Sequence, residues 1–276
     1  MSMLRPVRRP ESSGAATVGC AEVEREARHL RRLMAMRKIR TIYFALLLLA
    51  ATNTEAASIS VLFVGNSLTQ VNDLPTAFKK FAGASVLHFD VDVSSIAPGG
   101  AFLSDHWKRG DVVARLRSQH PNFLILQGQS TEPLSAPKNF AYYAGLFKTE
   151  ADRVHTTTVL FSTWARPTGD PYYKDTTSGG SPAEMQARLN SAYASLAQRI
   201  GATLAPVGVA WERVHNVAPK LELLDGTQHP SPIGTYLAAA VLFETVFKTS
   251  AVGSTYYGTL PQPTAQALQR IADAVR

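Results

Sequence analysis

From about residue 58 onward the sequence predicts an α/β domain with a parallel sheet sandwiched between helices. Two observations carry this. Apolar, β-branched runs alternate with helix-like patterns along the whole stretch. The first and third of those runs are also nearly continuous in apolar residues, as strands covered on both faces must be. A third observation concerns placement: the glycines, amides and hydroxyls that stand out in composition come directly after the strand-like runs, where an open α/β sheet forms its ligand site.

Taken in order, the strand-like segments are Ser58–Val64, Val86–Val93, Phe123–Leu126, Thr157–Phe161 and the weaker Thr203–Pro206. Between them the helical patterns are Leu74–Phe81, Val112–Arg117, Asn139–Arg153, Pro182–Ile200 and Pro232–Phe247. Ser181 before Pro182, with Glu184 three residues on, is a helix start: a hydroxyl to cap free N–H groups and a proline that lacks one. A βαβαβ alternation implies right-handed crossovers and one continuous sheet. No repeat or linker divides residues 58–276, which form one domain of ordinary size with room for a sizeable core.

Residues 1–57 read as a leader. Basic Arg37-Lys38-Ile39-Arg40 precedes the apolar run Ile42 to Ala51, and small residues close the segment at Glu55-Ala56-Ala57. A charged start, an apolar stretch too short for a bilayer and a small-residue exit describe a secretory signal peptide over about residues 36–57. A buried core helix or an uncleaved anchor is the other reading of the same run. Met34 or Met36 reads as the translation start. The leader holds 10 of the 28 Lys+Arg and 5 of the 21 Asp+Glu, which leaves 18 and 16, so the net charge of +7 falls to +2 without it. No basic stripe then remains to argue for nucleic acid. Cys20, the one cysteine, goes with the leader. A chain without thiols has neither disulfides nor a cysteine-bound metal, and suits the periplasm or the extracellular space. Once the signal is cleaved, no stable membrane insertion is expected.

Two segments carry the chemistry. Val61-Leu62-Phe63-Val64 runs directly into Gly65-Asn66-Ser67-Leu68-Thr69, which puts Ser67 where a buried strand turns toward a helix. A serine hydroxyl needs a neighbouring base to become a nucleophile, and a tight strand-to-helix turn surrounds it with backbone N–H donors. The alternative is a polar turn that only caps the next helix. Thr69 stands where the second glycine of a Gly-x-Ser-x-Gly elbow would be, so this is not that motif. Far downstream, Asp225-Gly226-Thr227-Gln228-His229-Pro230 supplies a carboxylate and an imidazole in one polar loop. Asp225 can hold one ring nitrogen and leave the other to face Ser67; a solvated surface loop is the alternative. The remaining histidines (His88, His106, His120, His155, His215) are scattered without metal-ligand spacing, so no metal and no organic cofactor is expected. Gly99-Gly100 and Gln127-Gly128-Gln129 offer donors for an oxyanion, or merely relieve strain and cap a strand end.

This ordered set resembles the SGNH (GDSL-type) hydrolase superfamily. The first block is similar to Gly65-Asn66-Ser67-Leu68, the second to Gly99-Gly100, the third to Gln127-Gly128-Gln129-Ser130 and the last to Asp225…His229-Pro230, together spanning residues 59 to 245. The third block resembles the Gln-Gly-Glu-Ser form of sialate and carbohydrate O-acetylesterase branches. The resemblance implies a flavodoxin-like three-layer α/β/α sandwich and an acyl-enzyme on Ser67. It further implies His229 as base, Asp225 as acid, and an oxyanion hole of Gly100 and Gln127, with Gln129 as second choice for the amide. Two departures stand out: the family acid lies three residues before the histidine, where this chain has Gly226, and the asparagine of the third block is absent.

The expectation is an exported serine esterase acting on short-chain, O-acetyl esters of small molecules or glycans. Two alternatives stay open: a carbohydrate-binding protein that keeps the fold without turnover, using Tyr142, Tyr143, Trp164, Tyr172 and Tyr173 as a sugar platform, and a lipase or thioesterase of the same fold.

Overall fold

In the computed structural model the described residues are 58–276, together with Arg25, His29 and Met34, each helical. The chain divides into two units, Met1–Ala56 and Ala57–Arg276. The proposed signal segment lies outside the described residues. No helix among the described residues is long and apolar enough to cross a membrane.

Five parallel strands form one sheet: β1 (Ile59–Val64), β2 (Val91–Ile96), β3 (Phe123–Leu126), β4 (Thr157–Phe161) and β5 (Thr203–Ala205), in the order β2-β1-β3-β4-β5. The helices are α1 (Ser67–Gln70), α2 (Leu74–Gly83), α3 (Leu103–Arg109), α4 (Asp111–Gln119), α5 (Glu132–Ser135), α6 (Pro137–Arg153), α7 (Pro182–Ile200), α8 (Val207–Val217), α9 (Pro232–Phe247) and α10 (Gln262–Asp273). The period-2 alternation of strand side chains sorts the core into two layers. Val61, Phe63, Ile125, Val159 and Phe161 pack with α2, α8, α9 and α10 on one face. Leu62, Val64, Leu124, Leu126 and Leu160 pack with α3, α4, α6 and α7 on the other. This is a three-layer α/β/α sandwich with flavodoxin-like strand order. The chain steps outward from β1 to β2, then returns past β1 to β3. The crevice between the carboxyl ends of β1 and β3 is therefore the topological switch point, where such sheets bind ligands.

The second strand departs from its expected span. Val86 and Leu87 are exposed, His88 turns the chain at φ 49°, and pairing with β1 begins only at Val91. Two adjacent apolar residues there make a surface turn, not the start of a strand.

Candidate functional site

β1 is buried at its last four residues and delivers the chain directly to Gly65 and Asn66 at the switch point. Asn66, extended and only 2% exposed, caps α1: its Oδ1 accepts from the Leu68 N–H at 3.1 Å. Ser67 is thus the first residue of a helix, where its backbone N–H has no intrahelical acceptor.

Gln127, at the end of β3 and 1% exposed, holds this turn from the other side of the crevice. Its Oε1 accepts from the Asn66 N–H at 3.1 Å and the Thr69 hydroxyl at 2.9 Å. Its Nε2 donates to Asn66 Oδ1 at 3.1 Å and to the Gly128 carbonyl. In this arrangement the Gln127 side chain, expected as an oxyanion donor, clamps the serine turn. Gly65 is small for the same reason. A Cβ there would lie 2.4 Å from Gln127 Oε1 and 2.5 Å from Thr69 Oγ1. Gln129, the second choice, is half-buried; its Oε1 accepts from the Thr131 N–H and hydroxyl, at 2.7 and 2.9 Å.

The Gly99-Gly100 loop follows β2 and is exposed. Asn66 Nδ2 donates to the Ala101 carbonyl at 3.3 Å, which ties this loop to the serine turn. Gly100 has φ 72°, a left-handed conformation that glycine adopts at no steric cost. Glu132, fully buried, joins the loops from below: one carboxylate oxygen accepts from the Gln129 N–H at 2.9 Å and the Leu103 N–H at 3.4 Å. Burial pushes its carboxyl up to about 6.

His229 arrives from the opposite end of the sequence. Its loop is pinched at the base by a Leu224–Pro230 bridge, with the Asp225 N–H donating to the His229 carbonyl at 3.1 Å. Gly226 turns the chain at φ 94°. Two further contacts seat the loop. Asn72, five residues after Ser67, donates from Nδ2 to the Pro230 carbonyl at 2.8 Å and to Thr235 Oγ1 at 3.0 Å. Trp164, stacked on Trp211 at 3.9 Å, donates from Nε1 to the Gln228 carbonyl at 3.1 Å. His229 Nε2 lies 3.0 Å from Ser67 Oγ. The two segments, 162 residues apart in sequence, meet at the switch point.

Asp225 stands differently from its expected place. It forms no described hydrogen bond to the imidazole. Its Oδ1 accepts from the Thr227 hydroxyl at 2.6 Å and the Thr227 N–H at 2.9 Å. Thr227 Oγ1 is in turn 3.0 Å from His229 Nδ1 and accepts from the His229 N–H at 3.1 Å. The Thr227 hydrogen bonds, then the His229 ring, hold the exposed Asp225 carboxyl below the usual carboxylate range. Thr227 was not among the residues singled out from sequence. The available signal was its spacing of two after an aspartate, the spacing of an Asx turn.

His106 also gained a place that sequence did not suggest. It is fully buried behind the turn, its Nε2 donating to the Gly65 carbonyl at 2.7 Å, while Arg109 donates to its Nδ1 at 2.8 Å. Arginine can only donate, so the ring is neutral with its hydrogen on Nε2; burial lowers its pKa. The aromatic set does not form one platform: Trp164 is 3% exposed and stacked inside, whereas Tyr142 lies open on α6. Among the described residues no group of three or more His, Cys, Asp or Glu side chains is disposed to hold a metal ion.

No protein-family profile matches the sequence, and no curated protein does. Solved structures do. A "putative SGNH hydrolase" from Slackia heliotrinireducens is 30% identical, with 68% of this chain and 99% of that one covered and a TM-score of 0.59. A DUF4886 family protein from Bacteroides uniformis aligns at 18% identity over 79% of this chain and 95% of its own, with a TM-score of 0.63. An acetylxylan esterase from Geobacillus stearothermophilus aligns at 12% identity over 68% and 92%, with a TM-score of 0.51. The last two share the fold; the first, 30% identical and matched over nearly its whole length, identifies the superfamily. The chain belongs to the SGNH hydrolases.

Proposed function

We propose that this protein is an exported serine esterase that cleaves short-chain, O-acetyl-type esters through an acyl-enzyme on Ser67. The observation that carries the reading is the 3.0 Å approach of His229 Nε2 to Ser67 Oγ, within the reach a general base requires. His229 takes the hydroxyl proton as Oγ attacks the ester carbonyl carbon. The tetrahedral intermediate collapses as His229 returns that proton to the leaving alcohol. Water then repeats the cycle on the acyl group, with His229 as base, releasing the carboxylic acid and free Ser67. The developing oxyanion is met by the backbone N–H groups of Ser67 and Gly100. The first opens a helix, and the second makes no hydrogen bond among the described residues. Asp225 anchors the base.

Acetyl esters of carbohydrate are the favoured substrates. Support comes from the Gln127-Gly128-Gln129-Ser130 block and from the fold shared with acetylxylan esterases. Export rests on the basic-apolar-small pattern of residues 37–57.

The test is hydrolysis of p-nitrophenyl esters of increasing acyl length by the purified protein. Acetate should be preferred, and Ser67→Ala and His229→Ala should each lose at least about 1,000-fold in kcat. A wild type inactive on every ester, or a Ser67→Ala variant that keeps its activity, would overturn the proposal.

A further inference from the structure

We infer that Thr227 is a positioning residue that couples Asp225 to His229, so that the acid acts on the imidazole through a hydroxyl instead of touching it. The inference rests on the esterase reading above and specifies how its acid works.

A threonine hydroxyl has one hydrogen to give and two lone pairs to offer. The 2.6 Å contact to Asp225 Oδ1 takes the hydrogen, because an ionised carboxylate can only accept. The two lone pairs then face the His229 backbone N–H at 3.1 Å and ring Nδ1 at 3.0 Å. A ring nitrogen that meets a lone pair must itself carry hydrogen. The imidazole is therefore fixed as the Nδ1–H tautomer, and its bare Nε2 points at Ser67 Oγ. The opposite tautomer would set two lone pairs against each other at 3.0 Å, or pull the hydroxyl hydrogen away from the carboxylate. All three bonding positions of the Thr227 oxygen are filled.

The departure in spacing now has a physical account. With the acid four positions before the histidine instead of three, the carboxylate no longer reaches the ring by itself. The loop turns at Gly226, φ 94°, and closes an Asx turn from Asp225 Oδ1 to the Thr227 N–H. That turn carries the Thr227 hydroxyl into the gap. When His229 gains the second proton, its positive ring leans on Asp225 through this bridge. Thr227 itself is exposed, and its hydroxyl meets His229 at Nδ1, not at the Nε2 that faces Ser67.

The test uses Thr227→Val, which keeps the shape and removes the bridge, and Thr227→Ser, which restores it. On p-nitrophenyl acetate, Thr227→Val should lower kcat about 10- to 100-fold with little change in KM, and Thr227→Ser should recover most of it. In a double-mutant cycle, Asp225→Asn should add little once Thr227 is valine, since the two act through one path. 15N NMR of His229 supplies a readout independent of turnover: the wild type should show hydrogen on Nδ1, and Thr227→Val a mixture of tautomers. A valine variant with wild-type kcat, effects of the two substitutions that multiply, serine failing to restore activity, or a wild-type ring protonated on Nε2 alone would each overturn the inference. A wild type inactive on all esters with its hydrogen on Nδ1 would sink the esterase reading and leave the bridge standing.

Discussion

Gln127 and Gly65 act as one unit behind Ser67. Every polar atom of the buried amide is engaged with Asn66, Thr69 or Gly128, and the missing Cβ of Gly65 is what lets the amide approach so closely. Replacing Gln127 by leucine keeps the volume but strands the Asn66 N–H and the Thr69 hydroxyl in a dry crevice. Each such loss costs about 1–3 kcal/mol. Gln127→Leu should therefore lower Tm by several degrees and lower kcat with it, measured by thermal unfolding and ester hydrolysis. A donor that served only the oxyanion would lower kcat and leave Tm unchanged, which is the result that would refute the clamp. The type of residue could be read from sequence: a hydroxyl after a buried strand marks Ser67, and a carboxylate and an imidazole in one loop mark Asp225 and His229. The direct Asp225–His229 contact expected there is replaced by Thr227. Which partner uses a glutamine's two hydrogens is decided in three dimensions. The work of Thr227 was equally hidden, because Asp-x-Thr in a loop is also how an ordinary turn is written.

At the scale of elements, α9 sets the position of the His229 loop. Ser231 caps it, accepting from the Ile233 and Gly234 N–H groups at 3.1 and 3.3 Å and donating to the Glu222 carbonyl at 2.6 Å. Gly234 lets the helix sit against its neighbours: a Cβ there would lie 2.3 Å from the Leu223 carbonyl and 2.6 Å from the Trp211 ring. Gly234→Ala must push α9 away from Trp211, on which Trp164 stacks and holds the Gln228 carbonyl. Overpacking of this kind costs about 1–3 kcal/mol, so the variant should melt earlier and lose activity while Ser67 stays untouched; unchanged melting would remove the argument. The sequence marked α9 from end to end because Ser231 and Pro232 open it and nearly every following residue is apolar. Besides the two four-residue helices α1 and α5, three longer ones escaped. α3 is only seven residues and starts after Phe102, whose N–H is capped from Asp105, three residues on. α8 is rich in valine and holds a glycine, a composition that suits a strand as well as a helix. α10 begins after a proline without a side-chain cap, despite a clear amphipathic stripe.

For the whole molecule, the strand order explains why residues so far apart in sequence meet. β1 and β3 diverge in their onward connections, which opens a crevice that each lines with its own loop, and α9 brings in the third. The same packing buries three glutamates outside that machinery of proton transfer. Glu150 is paired with Arg117 and Arg153, whereas Glu132 and Glu244 have no cationic partner among the described ion pairs. Glu244, in the middle of the α9 layer and 2% exposed, gives one oxygen to the Ala251 N–H at 2.6 Å, while the other has no partner among the described residues. Burial pushes its carboxyl up from 4.5 to about 7, and that of Glu132 to about 6. Between pH 4.5 and these values the folded chain holds protons that the unfolded chain has released. Stability must then fall as pH rises through the window, and above about 7 the favourable contribution is gone. Glu244→Gln keeps the shape and the acceptor for Ala251 and removes the buried charge. Its Tm should exceed that of the wild type by a few degrees at pH 8, with the gap closing toward pH 5, in unfolding followed by circular dichroism. A gap independent of pH would mean that folding does not shift the Glu244 titration, and its assignment to burial would fail.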